Sequence, residues 1–181
     1  MKKSWNNRRL VPVAILLTLV LVCGTVFAYM FMRTDPQAVS FIPAKVACYV
    51  ADKRTGDSIN EVTVENTGNI KAYLRVRLST CWVDGDGNVV PKDSLPLSFS
   101  YDTDNWVAGS GNTYYYKVPV APEDVTTDLF AAGASITLTS DGDYKQRVDI
   151  FGEAIQAKPT DAVENSWGVT VDTDGTIISI P

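Results

Sequence analysis

Ile70-Lys71-Ala72-Tyr73-Leu74-Arg75-Val76-Arg77-Leu78-Ser79 decides the fold. Ile70, Ala72, Leu74, Val76 and Leu78 fall on one side of a two-residue repeat, and Lys71, Tyr73, Arg75, Arg77 and Ser79 fall on the other. That period belongs to a β-strand with one face in a core and the other in water. Just upstream, Val62 and Val64 alternate with Glu61, Thr63 and Glu65, and Asn66-Thr67-Gly68-Asn69 separates the two runs with turn-forming residues.

The same grammar continues downstream. Tyr114, Tyr116, Val118 and Val120 share a face opposite Tyr115 and Lys117. Ala134, Ile136 and Leu138 alternate with Ser135, Thr137 and Thr139, and Val148 and Ile150 belong to a long run expected to bulge near Gly152. Asp84-Gly85-Asp86-Gly87-Asn88, Gly109-Ser110-Gly111-Asn112, Ser140-Asp141-Gly142-Asp143 and Asp174-Gly175 mark reversals. About eight to ten short strands at this spacing predict an all-β, antiparallel sandwich. The absence of strand–helix alternation speaks against a doubly wound sheet. One short helix is expected after Pro159, with Asp161 and Glu164 spaced as in a capping box, Gly168 as its stop and Trp167 covering a sheet end.

The N-terminus is built differently. Residues 1–33 carry five bases and no acid, whereas the rest of the 181 residues carries the other 11 bases and all 21 acids, a balance of −10 within the overall −5. A body of that charge repels phosphate backbones, so no nucleic-acid partner is expected. Behind the basic flank Lys2–Arg9, Leu10–Met32 runs without a charge. At about 1.5 Å per residue this stretch spans a hydrocarbon core of roughly 30 Å. It fits a membrane anchor. It also fits a signal peptide cut after Val26-Phe27-Ala28, which would leave Tyr29 first. Either way the body is placed outside the cytoplasm. Val22 before Cys23 is too large for a lipid-attachment site.

Residues 1–28 are therefore the signal peptide or membrane anchor, 29–43 an extended linker or donor strand, and 44–181 the β-sandwich domain. Within the linker, Gln37, Ala38, Val39, Ser40, Phe41 and Ile42 lie between Pro36 and Pro43. Proline suppresses helix and leaves an extended segment, suited either to spacing or to pairing with an open edge of a neighbouring subunit.

Chemistry is thinly represented. The chain has no His and three Cys, which excludes His-based triads, HExxH zinc sites and a four-Cys zinc finger. Asp84, Asp86 and Asn88 begin like a calcium loop, but Val89 and Leu95 stand where Gly and Glu are required, so a hairpin turn is the better reading. Asp102 and Asp104 form another acidic pair of the kind common at loop ends. Neither catalytic residues, nor a metal site, nor a cofactor is expected, and the protein reads as a non-enzyme. Cys48 and Cys81 are a candidate disulfide closing a loop of 33 residues, worth roughly 3–4 kcal/mol. Their strand parities disagree unless a bulge falls between Leu78 and Cys81. Trp106 and Tyr115 are candidate interaction aromatics, with core packing as the competing role.

Several of these stretches resemble the TasA/camelysin family of exported fibre and biofilm-matrix proteins of Gram-positive bacteria. Gly24-Thr25-Val26-Phe27-Ala28-Tyr29 is similar to the family's GT-x-AYF cleavage region, which is read by a dedicated, SipW-type signal peptidase. Val64-Glu65-Asn66-Thr67-Gly68-Asn69-Ile70-Lys71-Ala72-Tyr73-Leu74-Arg75-Val76 resembles its V-x-NTGNIxAYIRV strand pair. Trp82-Val83-Asp84, Ala154-Ile155-Gln156-Ala157 and the stretch from Ala162-Val163 to Trp167-Gly168 add to the likeness. The resemblance implies a jelly-roll sandwich and homo-oligomers or fibres in which the mature N-terminus of one subunit completes the sheet of the next. A metallo-endopeptidase label attached to the family does not carry over to a chain without His. The expected function is an exported surface or matrix structural protein. The alternative is a membrane-tethered module binding cell-wall glycan or a protein through Trp106 and Tyr115.

Overall fold

The alternation around Leu74 does form the central strand. In the computed structural model, which describes residues 7–32, 42–93 and 95–180, this strand is β3 (Ala72–Val83). Ala72, Leu74, Val76 and Leu78 are at most 2% exposed. The other strands are β1 (Cys48–Thr55), β2 (Ser58–Asn66), β4 (Val89–Val90), β5 (Trp106–Ala108), β6 (Thr113–Tyr116), β7 (Ile136–Thr137), β8 (Ser140–Asp141), β9 (Tyr144–Gln156), β10 (Thr170–Val171) and β11 (Ile177–Ser179). Two helices, α1 (Asn7–Met32) and α2 (Asp161–Trp167), complete the described elements.

Two compact units result, 1–42 and 43–181. The first contains α1, in which Pro12–Tyr29 forms a window of mean hydropathy 2.3, long and apolar enough to cross a membrane. Thr18 and Thr25 return their hydroxyls to carbonyls one turn back, Ala14 and Leu21 among them, so neither presents an unmet donor to an apolar surrounding. The protein thus carries an apolar N-terminal helix of the signal or anchor type.

The second unit is β-rich and antiparallel throughout. One sheet has the order β1-β2-β7, and a curled one the order β5-β6-β3-β9-β8, with β4 on β3. Both contribute to one core: Ile59, Val62, Val64 and Ile136 from the first meet Leu74, Val76, Trp106 and Val148 from the second. Burying each such aliphatic side chain contributes about 1.5–3 kcal/mol. The register of β1 on β2 shifts after Lys53↔Glu61 to Arg54↔Ile59, skipping Asn60. This bulge keeps Ile59 on the same inward face as Val62 and Val64 despite the odd spacing.

Three expectations change. β9 does not bulge at Gly152, because its pairing with β3 runs unbroken from Ala72↔Gln156 to Val83↔Lys145. The outer face of β3 is not simply in water. Tyr73 and Tyr115 pack with Val163, Trp167, Val169 and Ile177 in a second cluster, built where the C-terminal segment folds over the sheet. Trp167 therefore covers a sheet face rather than a sheet end. Arg75 lies 4.6 Å from the Trp167 ring centroid and pairs with Glu153 at 2.6 Å, so its charge is matched as the tryptophan shields it. Finally, α2 has the predicted span and stops at Gly168 with φ 69. The capping box does not form, since Thr160 is the N-cap without a side-chain bond and Glu164 Oε1 accepts from the Val171 N–H at 3.1 Å.

Candidate functional site

Backbone direction along β1 and β9 leaves groups on each strand turned away from its ladder partner. On β2, the groups of Val62, Val64 and Asn66 point away from β1. Val64 N–H meets Thr126 Oγ1 at 3.0 Å, Val64 O accepts from Thr126 N–H at 2.9 Å, and Asn66 N–H donates to Asp124 O at 3.0 Å. Backbone direction alternates along a strand. Glu61, Thr63 and Glu65 therefore bond to Lys53, Ala51 and Tyr49, their partners in register, and Cys48, Val50 and Asp52 turn their backbone groups outward. On β9, Gln146 N–H donates to Thr139 O, away from β3. By the same alternation Val148, Ile150, Gly152 and Ala154 offer their N–H and C=O groups on that side.

The two edges run antiparallel without a ladder between them. Val50 sits at Gly152, and four residues on, Arg54 Nη2 donates to Val148 O at 3.2 Å. A Cβ on residue 152 would stand 2.4 Å from Val50 Cγ2 and 3.3 Å from Cys48 Sγ. Glycine is thus what lets β1 come this close. The seam holds a groove of about 460 Å³ lined by Val50, Asp52, Arg54, Val148, Asp149, Ile150 and Phe151. Burial of the Cys48 thiol, with the Glu153 carboxylate adding to it, raises its pKa above the ordinary thiol value.

The Asn66–Asn69 turn anchors the chain just before β1. Asn66, fully buried, donates from Nδ2 to Ile70 O at 2.8 Å and Val120 O at 2.9 Å, and its Oδ1 accepts from Gly68 N–H at 3.0 Å. Asn69 grips the incoming segment: Oδ1 accepts from Lys45 N–H at 2.6 Å, Nδ2 donates to Pro43 O at 2.9 Å, and its own N–H donates to Lys45 O at 3.0 Å. A Cβ on Gly68 would lie 2.4 Å from Lys45 O. The turn that looked like punctuation is a clamp on the chain that follows residue 42.

The remaining sequence candidates fall out as follows. Ala28 and Tyr29 lie on α1, which continues to Met32. Gln37–Phe41 of the candidate donor strand lie outside the described residues, and Ile42 is exposed. Cys48 and Cys81 are unpaired. Cys48 sits at Gly152, whose partner is Val76, and Cys81 is five residues further along an unbroken register. That is about 16 Å of strand, beyond the roughly 7 Å Cα separation a disulfide allows. Trp106 and Tyr115 are 1% and 5% exposed. Trp106 donates to Thr127 O and meets Tyr116 edge-on, and Tyr115 meets Trp167. Both are packing residues, because their strand faces are covered, one by the opposite sheet and the other by the C-terminal segment.

The acidic loops are turns held by their own carboxylates. Asp84 accepts from the backbone N–H groups of Asp86 and Asn88. Asp102 accepts from Asp104 N–H, Asn105 Nδ2 and Thr127 Oγ1. The bonds from Asn88 to Asp84, and from Asn105 to Asp102, lower both pKa values below the usual Asp value. No cluster of three or more His, Cys, Asp or Glu able to hold a metal occurs among the described residues. Comparisons with protein-family models, curated proteins and solved structures give no match.

Proposed function

We propose that the protein is an exported cell-surface or extracellular-matrix structural protein of the TasA/camelysin kind, with a jelly-roll body that self-assembles by adding an extended segment of one copy to an open sheet edge of the next. The observation that carries this reading is that β1 and β9 are neighbours without a ladder between them. An extended chain entering there would satisfy outward N–H and C=O groups that no ladder among the described residues reaches.

The donor in this reading is the segment around Gln37–Ile42. It is followed by Pro43, where the Asn69 clamp fixes the chain. The apolar helix α1 supplies the address. As a signal peptide cut between Ala28 and Tyr29 it releases the mature chain, and as an anchor it displays the body on the outer membrane surface. The partners are then a signal peptidase and further copies of the chain. With Trp106 and Tyr115 buried, a glycan-binding module loses the contact residues that recommended it.

Negative-stain electron microscopy of residues 29–181 at rising concentration tests the reading. Filaments that vanish when 29–42 are deleted are expected. Dispersed particles at every concentration, with the deletion changing nothing on cells, contradict it.

A further inference from the structure

The seam between β1 and β9 is not uniformly open. At one end Val50 and Cys48 rest on Gly152. At the other, the strand-parity series Cys48, Val50 continues into two exposed charges, Asp52 and Arg54. Arg54 Nε pairs with Asp52 Oδ2 at 2.5 Å, and Nη2 crosses to the Val148 carbonyl at 3.2 Å. Charges on an edge strand and a bulge are devices that keep sheet edges from pairing indiscriminately, and the register shift of β1 on β2 falls at this Arg54. The guanidinium's planar fork suits holding both acceptors at once.

We propose that Arg54, held by Asp52, is a latch on the seam. It occupies the Val148 carbonyl that an added strand needs and keeps β1 lying against β9 until an incoming segment displaces it. The consequence for assembly rests on the strand-addition reading, whereas the latch itself does not. The latch guards the β9 edge against adventitious pairing and makes strand addition an exchange: one side-chain hydrogen bond is given up for a backbone ladder.

Cys48 reports the state of the seam because its thiol lies inside it, while Cys81, on the outward face of β3, serves as the reference. The full chain in detergent micelles is treated with iodoacetamide and the modification of each cysteine is followed by peptide mass spectrometry, with light scattering recorded in parallel. In Arg54→Ala, Cys48 is expected to react about fivefold faster relative to Cys81, the change expected when an opening equilibrium loses one net hydrogen bond. The lag before assembly shortens. Arg54→Lys, which keeps the charge but not the fork, falls between. An unchanged Cys48 rate in a variant with native circular dichroism overturns the latch, as does equal acceleration of Cys81, which would mean general loosening. Faster Cys48 with particles dispersed throughout supports the latch and defeats the strand-addition reading. Should Arg54→Ala misfold, Asp52→Asn is expected to accelerate Cys48 more modestly, and no acceleration there overturns the proposal.

Discussion

The two long sides of the β-rich body are finished in opposite ways. Along the outward side of β2, residues 120–130 stitch the sheets together. Asp124 O takes Asn66 N–H, Thr126 exchanges two bonds with Val64, Leu129 N–H reaches Val62 O at 2.9 Å, and Asp128 Oδ1 accepts from Val62 N–H at 2.9 Å. Val120 exchanges a bond pair with Ala72 of the other sheet, and Leu129 and Phe130 close the core beneath. Along β1 and β9 no ladder joins the two strands; a groove lies between them, and Arg54 Nη2 crosses to Val148 O. That contrast is the physical basis for proposing that another chain completes the β1–β9 side.

The largest losses are expected on the closed side. Leu129→Ala removes a fully buried side chain and is expected to cost about 2–5 kcal/mol in denaturant unfolding. Thr126→Val keeps the shape but strands the Val64 N–H, with an expected loss of about 1–3 kcal/mol. On the open side, Arg54→Ala cuts a half-exposed pair, and its cost to global stability is expected below about 1 kcal/mol even though it changes Cys48 reactivity. If Arg54→Ala were as costly as Leu129→Ala, the seam would be core and not edge.

The smallest effect is electrostatic. The Asp102 pKa is depressed in the folded state, chiefly by the Asn105 side-chain bond. Its contribution to stability is therefore present above the unfolded pKa, near 3.9, and disappears as pH falls through the lower folded value. Because Asp102 also holds Thr127, acid is expected to loosen the closed side first below about pH 4. Asp102→Asn should remove that step from an acid titration followed by tryptophan fluorescence.

What the sequence revealed follows from what alternation can encode. Inward faces of β2 and β3 were legible because Val62, Val64 and Leu74–Leu78 have neighbours of opposite character. The span of α2 was legible because Pro159 and Gly168 bracket it. Tyr73, Tyr115 and Trp106 were ambiguous because amphipathic aromatics suit either a covered or an exposed face, and the cover over Tyr73 comes from residues about a hundred positions away, at Gly175. The Cys48–Cys81 pairing required a bulge that the sequence permits and the sheet does not contain. β1 itself was unread beyond Val50, since Ala51–Thr55 is largely polar. The seam was invisible for the same reason: Gly152 reads as a bulge, and Arg54 as a surface charge, until β1 and β9 are seen side by side.

Site-resolved hydrogen exchange on the full chain in micelles, at low and at assembling concentrations, reads strand addition at the seam directly. The outward amides of β1 and β9, among them Val50, Ile150, Gly152 and Ala154, are expected to slow sharply as copies associate, while residues 120–130 exchange as before. Association without protection on those two edges, or with protection on the 120–130 side instead, would rule out strand addition at this seam.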